Sequence, residues 1–524
     1  MRKLLMAAAA IMLMMATMAL TSCTNDDDNP VTPPESKQLA EYTIMYYGHG
    51  GGNLDRFDIQ SIGKFYEADP DAFKKVNVVA QYKFSTTENM LEQEYWTVQN
   101  CEAFGSMTFR WAVDPAQEVL GQMDAEVSLY GLDNADLACP DSLTNFINWA
   151  ARTYPAKKYL LILSDHGGGY QPNDELPENK STTTRGLIYD DGNYENGFKR
   201  HFTAKSLHRA IATANVHIET IVMDACLMNC LEYQFELQDV CNYVIASTFS
   251  MPAKGGAYNV LAEQLSQPLV DIEQALSTYC KAYVDSWNEG LHIDETTPKY
   301  NDLTLTRTAN IAHLGEVLRE FTDRLCDTYT NGTDAQKQAI DSCTASTMKI
   351  EKTIPSYDAV RYMKSIVNAL PEVYGEEFYN RMKEAFNNCI VAQYFSKYLT
   401  AHDFMVDYSV LLGTLGTYSY IYWKTDPQTN SLVPFFQEVF SPDGEHQGLY
   451  LYPTESPYYY RMEPYGGDPL SWGSTLADTY EQLEFDRAVG WSRWLRLNRQ
   501  WPNLFCPKDL KFELPIPDAG DIQY

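Results

Sequence analysis

Two stretches of the sequence share one pattern: Leu160–Gly167, which reads LLILSDHG, and Thr220–Cys226, which reads TIVMDAC. Each is a short, continuous apolar run, as in a strand buried in a parallel sheet, and each runs directly into a reactive side chain. Ligands and chemistry collect at the carboxyl ends of such strands in open α/β sheets. We therefore expect His166 and Cys226 to meet at one sheet edge, as an acid/base group and a thiol nucleophile.

Strand-like and helix-like stretches alternate from about residue 40, which predicts a parallel sheet with crossover helices. Further apolar runs predict strands at Tyr42–Tyr47, Val76–Tyr82, Tyr243–Ser247, Asn301–Thr306 and Gly448–Tyr452. The predicted fold class is therefore α/β, with a mostly parallel central sheet and a helical, aromatic-rich C-terminal extension.

Apolar residues at helical spacing predict helices between these strands. Asp141-Ser142 and Thr203 precede two of them and are interpreted as N-caps. A third helix is predicted over Leu227–Leu237, which would place Cys226 at a helix N-terminus, where the partial positive charge favours a thiolate. Later in the chain one amphipathic stripe stands out, on Ile311, Leu314, Leu318, Phe321 and Leu325.

The residues around the two strand ends suggest how a reaction intermediate would be stabilised. The peptide N–H groups of Gly167 and Cys226 are predicted to form an oxyanion hole. Gly167 suits this role because a peptide can closely approach an amide that has no neighbouring Cβ. The loop that follows, Gly168–Lys199, is long, polar and without periodicity, so we expect it to be functional or labile.

Composition argues against several partners. The 524 residues carry a net charge of −30, and no basic stripe interrupts the acidic surface, so nucleic acid is not an expected partner. The 11 cysteines form no CxxC pair, and no second Cys/His cluster completes a zinc site with Cys226 and Cys230. We therefore predict no metal site, and interpret the other body cysteines as small buried hydrophobes.

The N-terminus has the pattern of a bacterial lipoprotein leader. Arg2-Lys3 is a charged start, Leu4–Leu20 is apolar, and Leu20-Thr21-Ser22-Cys23 resembles a lipobox. A plain signal peptide or a membrane anchor is the alternative. We expect lipid on Cys23 to tether the protein to a membrane of the bacterial cell envelope, at the outer membrane or cell surface.

The motif Asp165–Gly169, DHGGG, together with Asp224–Met228, DACLM, resembles the clostripain family of cysteine peptidases, in the caspase-like clan. The stretches Asp141–Ala150 and Arg185–Asp191 agree with this resemblance. It implies a caspase-like α/β/α sandwich, protein or peptide substrates, and a catalytic dyad of His166 and Cys226.

The resemblance also implies specificity and processing. It implies cleavage after Arg or Lys, with Asp224 lining the substrate (S1) pocket, and Lys254 stands where the family has a second acid, so an altered preference is expected. Activation by cleavage is expected in the loop after His166, at Lys180 or Arg185. Calcium is possible by family analogy, but no ligand cluster in the sequence requires a cofactor.

The expected organisation is a signal peptide over residues 1–22, a flexible acidic tether over 23–38, a peptidase domain over 39–350, and a C-terminal part over 351–524 packed on it. Gly48–Gly52, GHGGG, also follows a predicted strand, but no nucleophile lies near His49 in sequence, so His49 is interpreted as non-catalytic. Besides a lipid-anchored endopeptidase, an inactive surface binding protein and a transpeptidase that uses the same dyad remain open.

Overall fold

The computed structural model describes residues 39–117, 119, 135–170, 186–195, 198–248, 251–252, 255–288, 301–346, 357–395, 422–425, 432–435, 450–451 and 481–497. The predicted leader and tether lie outside the described residues, and so do Cys23, Lys180, Arg185 and Lys254. The apolar runs noted above all form strands, because residues of this kind pack well on a pleated, buried surface.

The centre of the fold is an eight-stranded sheet. Its strands are β1 Ala40–His49, β2 Val76–Lys83, β3 Thr108–Ala112, β4 Ala156–Ser164, β7 Ile218–Asp224, β8 Cys241–Ala246, β9 Asp302–Arg307 and β11 Ile390–Phe395. They lie in the order β11-β9-β8-β7-β4-β1-β2-β3. The five strands from β8 to β2 in this order are parallel, and the others pair antiparallel at the edges. The prediction of an α/β fold with a mostly parallel central sheet is confirmed.

Among the described residues, three two-stranded sheets accompany the central one. They pair β5 Leu187–Glu195 with β6 Phe198–Phe202, β10 Tyr357–Asp358 with β14 Tyr450–Leu451, and β12 Tyr422–Thr425 with β13 Leu432–Phe435. The predicted strand at Gly448–Tyr452 is thus present as β14, although its described part is short.

Helices cover both faces of the central sheet, as a sheet buried on both sides requires. The α-helices are α1 Asp55–Tyr66, α2 Thr87–Glu92, α3 Val98–Phe104, α4 Pro140–Thr153, α5 Ala204–Thr213, α6 Leu231–Leu237, α7 Tyr258–Leu265, α8 Ile272–Asn288, α9 Ile311–Asn331, α10 Asp334–Ser346, α11 Ala359–Ala369, α12 Pro371–Cys389, α13 Glu484–Val489 and α14 Trp491–Leu497. Short 3₁₀-helices span Pro70–Lys74 and Thr308–Asn310. Of the helices in the described ranges, none is both long and apolar enough to cross a bilayer.

Successive residues of the central strands face opposite cores. In β1, Met45 and Tyr47 belong to the core that contains α4, α5 and α9, whereas Ile44 and Tyr46 belong to the core that contains α1, α7 and α8. This alternation follows from the two-residue period of a strand. The sheet therefore separates two apolar layers, which makes the fold a three-layer α/β/α sandwich.

Two predicted helix starts are wrong, and one is confirmed. Thr203 caps α5 in a reciprocal capping box with Ser206. In contrast, α4 starts at Pro140 rather than after Asp141-Ser142, because proline is pre-organised for the first helical position. The predicted helix over Leu227–Leu237 starts only at Leu231.

A residue in the left-handed backbone conformation explains why that last helix starts later than predicted. Leu227 has φ +65°, a conformation that cannot continue into a right-handed helix, and the Asn229 N–H bonds the Ser247 carbonyl of the next strand connection instead. Cys226 therefore lies in a turn before α6, and the expected contribution of a helix N-terminus to its thiolate is absent.

The predicted amphipathic stripe of α9 is buried as expected, and helices α13 and α14 pack against α9. Trp491 and Trp494 of α14 are fully buried, and Trp494 meets Tyr329 of α9 edge to face at 5.1 Å between ring centroids. In the described part of the aromatic-rich tail, these side chains close one of the two cores.

Candidate active site

The two motif strands, β4 and β7, are neighbours in the sheet. They pair in parallel register, with Ser164 opposite Asp224. The segments that leave them, Asp165–Gly167 and Ala225-Cys226, therefore start side by side at the carboxyl edge of the sheet. The structure thus brings together the strand ends that carry His166 and Cys226.

Gly167 and Cys226 are in close contact through their backbones. A Cβ placed on Gly167 would lie 2.2 Å from the Cys226 carbonyl oxygen and 3.0 Å from its nitrogen. No side chain fits in that space, so glycine is required at this approach. Because residue 167 has no side chain, the segment that carries His166 can lie this close to the segment that carries Cys226.

Cys226 is partly exposed, unlike most described cysteines. Its Sγ accepts a hydrogen bond from the Met251 N–H at 3.1 Å, in the connection that follows β8. Cys326 is also partly exposed and Cys389 is buried; burial raises the pKa of the Cys326 thiol to about 11 and that of the Cys389 thiol to about 12, which disfavours a thiolate at neutral pH. Cys101, Cys230, Cys241 and Cys280 are also buried.

The imidazole of His166 is oriented by a residue that sequence reasoning missed. Its Nε2 lies 2.7 Å from Oδ1 of Asn53, in the loop between β1 and α1. Because an amide oxygen only accepts, Nε2 carries the proton of the neutral ring and the lone pair lies on Nδ1. The one sequence signal for Asn53 is its place in GHGGGN, directly after a strand that neighbours β4.

Part of the predicted loop Gly168–Lys199 is instead a strand: residues 187–195 form β5, whose first residues bond the segment that carries His166. The Ile188 N–H donates to the His166 carbonyl at 3.3 Å, and the Tyr189 N–H donates to the Asp165 carboxylate at 2.6 Å. Gly168 N–H in turn donates to the Gly186 carbonyl at 2.9 Å. Burial raises the pKa of Asp165 to about 8, although nearby His49 and the N–H groups of His166 and Tyr189, which donate to its carboxylate, oppose the rise.

His49, Lys83, Asp190 and Asp191 form a buried group that we call the anchoring cluster. Lys83 Nζ donates to both oxygens of Asp190, at 2.7 and 2.9 Å. His49 Nδ1 bonds the Lys83 carbonyl at 2.8 Å, and its Nε2 lies 3.0 Å from Asp191 Oδ1. The cluster fixes β5 to the ends of β1 and β2.

The protonation of His49 follows from that setting. Burial lowers its pKa, but Asp191 and Asp190 outweigh burial and raise the pKa to about 9. A histidine that is protonated and paired at neutral pH does not accept a proton from a thiol. This agrees with the interpretation of His49 as a non-catalytic residue.

The anchoring cluster also contains the one group among the described residues whose donor atoms could surround a metal ion. Its His49, Asp190 and Asp191 donors lie within 4.8 Å of one another. Calcium takes six to eight oxygen ligands, whereas this group includes an imidazole and already holds the Lys83 ammonium. The residues therefore do not fit calcium.

Asp224 is the last residue of β7 and is partly exposed. The Tyr258 hydroxyl donates to its Oδ2, and burial raises the pKa of Asp224 to about 6. A Cβ on Gly255 would lie 2.4 Å from Oδ2, and the Gly255 N–H donates to Ser61 Oγ of α1 at 3.0 Å. The residue directly after Lys254 is thus packed against the Asp224 carboxylate, while Lys254 itself is outside the described residues.

A three-layer sandwich with a thiol and an imidazole on adjoining strand ends defines a caspase-like cysteine peptidase arrangement. The model of the clostripain family, peptidase family C11, matches residues 115–444, which is more than half of the chain. The chain therefore belongs to the clostripain family of cysteine peptidases.

Two known proteins are similar to this chain. Clostripain from Hathewaya histolytica is 23% identical over 227 residues, which are 40% of this chain and 41% of clostripain. The crystal structure of a secreted C11 cysteine protease from Bacteroides thetaiotaomicron, bound to an irreversible peptide inhibitor, has a TM-score of 0.54 at 17% identity. That comparison covers 86% of this chain and 99% of the other, and it shows the shared fold.

Proposed function

We propose that the protein is a lipid-anchored cysteine endopeptidase that cleaves after Arg or Lys, with His166 and Cys226 as its catalytic dyad. The observation that carries this proposal is the packing of Gly167 against the Cys226 backbone, at paired strand ends. Family membership supports peptide hydrolysis as the reaction. Asn53 is the positioning residue for His166.

In the proposed reaction His166 Nδ1 takes the Cys226 proton, and the thiolate attacks the carbonyl carbon of the scissile bond. The tetrahedral intermediate collapses when His166 protonates the leaving amine, which leaves an acyl thioester on Cys226. Water, deprotonated by His166, then hydrolyses the thioester and releases the acid product. The same thioester would transfer to an amine in a transpeptidase, so the product distinguishes the two reactions.

The oxyanion of the intermediate would be held by the peptide N–H groups of Gly167 and Cys226. Gly167 forms an isolated antiparallel bridge with Leu187, whose hydrogen bonds run through the flanking residues His166, Gly168, Gly186 and Ile188. The N–H of Gly167 itself therefore points away from β5. That direction supports its role as an oxyanion donor.

Processing and anchoring complete the proposal. A cut after Lys180 or Arg185 would leave the downstream fragment held by the anchoring cluster and by the bonds from β5 to the His166 segment. Lipid on Cys23 would keep the protein on the bacterial cell envelope. Fractionation of cells that carry Cys23→Ala tests the anchor, since the variant should leave the membrane.

The decisive experiment measures peptide hydrolysis and thiol labelling together. Cys226→Ala and His166→Ala should each lose roughly 1,000-fold or more of the rate, because dyad members act as a unit. Cys139→Ala, which removes another partly buried thiol, is the matched control and should be fully active. Labelling of Cys226 without any peptide cleavage by the wild type would instead favour the surface binding protein.

A further inference from the structure

Asp58 of α1 reaches the sheet edge beside the proposed substrate pocket. Gly48, Ser164 and Asp224 form a row across the ends of β1, β4 and β7. The Ser164 hydroxyl donates to Asp58 Oδ1 at 3.2 Å, so Asp58 and Asp224 flank the same serine. Asp58 is 5% exposed, deeper than Asp224, which is partly exposed. We call Asp58 and Asp224 the acidic pair.

The acidic pair differs from neighbouring carboxylates in its donors. Asp55, one turn earlier in α1, accepts from the Ser85 N–H at 3.0 Å and from Gln93 Nε2 at 2.6 Å. Asp58 accepts only from hydroxyls, those of Ser164 and of Tyr82 at 3.4 Å. Asp224 likewise accepts from the Tyr258 hydroxyl. Within the described residues, neither member of the pair forms an ion pair or accepts an N–H bond.

A buried hydroxyl points into the same space. Tyr46 is fully buried, and its hydroxyl interacts with the side chain of Ser164, the serine that Asp58 and Asp224 flank. Burial, followed by the negative charges of Asp58 and Asp224, raises the pKa of Tyr46. The ring lies over Gly48, where a Cβ would come within 2.7 Å of Tyr46 Cε1. The glycine therefore leaves room for the hydroxyl to reach the acidic pair.

These groups share one unmet requirement. Two neighbouring acids that share no cation cannot both be charged without cost, because a buried charge needs a partner of opposite charge. Burial, with the neighbouring charges of Asp165 and Asp224, raises the pKa of Asp58 well above its usual range, so the site disfavours a second negative charge while no cation is bound. A group that brings a positive charge and several N–H donors would satisfy all of them at once.

We propose that Asp58 is a second acid of the S1 pocket, at its deep end, where it binds the guanidinium or ammonium group of an Arg or Lys side chain of the substrate. This inference rests on the proposed peptidase function and names a specificity determinant of that same site. Asp58 would supply, from α1, the acid that the resemblance to the family places at residue 254, where this chain has lysine.

The test compares substrates that differ only in charge. Matched peptides with arginine or citrulline before the cut are hydrolysed by the wild type, Asp58→Asn and Asp71→Asn, an exposed control with the same charge change. Asp58→Asn should lower the arginine-to-citrulline ratio of kcat/KM at least about 10-fold, as a lost contact to a charged group does. The control should keep the wild-type ratio.

The outcomes separate this inference from the proposed function. An unchanged ratio in an active Asp58→Asn enzyme overturns the role of Asp58 and leaves the peptidase intact. Absence of cleavage by the wild type overturns the peptidase itself. Asp58→Asn is nearly isosteric with the neutral acid, so it should fold. Asp58→Glu is the second variant: its longer side chain shortens the pocket and should raise the Lys-to-Arg ratio of kcat/KM, and an unaltered ratio counts against the proposal.

Discussion

The anchoring cluster and the acidic pair lie at the same edge of the sheet, yet they differ in whether the protein itself supplies a cation for their carboxylates. In the anchoring cluster, Lys83 and the protonated His49 balance Asp190 and Asp191 within the protein. In the acidic pair, Asp58 and Asp224 accept only hydroxyl hydrogens from the described residues. A carboxylate neutralised from within stabilises the fold, whereas one without an internal cation is suited to bind a cation from outside.

The largest effect is expected from a substitution that breaks the anchoring cluster. Lys83→Met leaves Asp190 buried without its cation, so the free energy of unfolding should fall by about 3–5 kcal/mol. Denaturant titration of the purified protein measures this loss. Lys74→Met removes an exposed lysine that also pairs with an aspartate and should cause no measurable change. Equal stability of the two variants would show that the cluster does not anchor β5.

The next effect is a pH dependence that belongs to the anchoring cluster. The pKa of His49 is raised from 6.5 to about 9, so its stabilisation is complete below pH 6.5 and is lost as the pH rises to 9. We expect a fall of about 3 kcal/mol in the unfolding free energy of the wild type across this window. His49→Gln should be less stable below pH 6.5 but show a smaller fall. A parallel fall in both proteins would assign the titration to another group.

A third test concerns Asn53. This residue links β1 to His166 and belongs to neither the anchoring cluster nor the acidic pair. Asn53→Ala should lower kcat about 10-fold through misorientation of the imidazole. Asn53→Asp keeps an acceptor and adds a charge, so it should restore part of the rate and move the pH profile upward, since a nearby anion raises the pKa of histidine. A profile that does not move in Asn53→Asp would contradict this positioning role.

A smaller effect concerns the acidic pair. Lys254 precedes Gly255, which packs against Asp224, and a lysine in that pocket would repel an incoming Arg or Lys. Lys254→Asp should raise kcat/KM for Arg substrates about 5-fold, since a charge pair near solvent contributes about 1 kcal/mol or less. The citrulline substrate serves as the control and should show no gain. An equal rate on Arg substrates would place Lys254 outside the pocket.

The smallest expected effect is none at all. Of the three possible metal donors, Asp190 already binds the Lys83 ammonium, and His49 pairs with Asp191. Chelation with EDTA should therefore leave peptide hydrolysis unchanged, and added calcium should not stimulate it. The measurement is the initial rate before and after chelation. A reversible loss on chelation would show that a metal site lies elsewhere in the chain.

The parts of the fold that sequence predicts well are those with a local pattern. The runs that end at His166 and Cys226 are continuous apolar strands, and their neighbouring places in the sheet follow from the α/β pattern. Asn53 and Asp58 were not predicted, because they come from the β1–α1 connection and from α1, far from His166 in sequence. Their roles depend on tertiary placement, which has no local signature.

The start of α6 shows why a local pattern also fails. Leu227–Leu237 has helical spacing, but the left-handed Leu227 and the bond from Asn229 to Ser247 hold the first residues outside the helix. Tertiary hydrogen bonds overrode propensity there. The turn they create is also what leaves Cys226 partly exposed at the sheet edge.

The attachment of β5 to the end of β4 has a consequence for folding. A chain severed within residues 171–185 would remain assembled through noncovalent contacts alone. Before the cut, refolding is a first-order process; after it, the two fragments must find each other, so recovery depends on concentration. Maturation would thus convert a reversibly folding precursor into an enzyme whose persistence is set by its rate of unfolding.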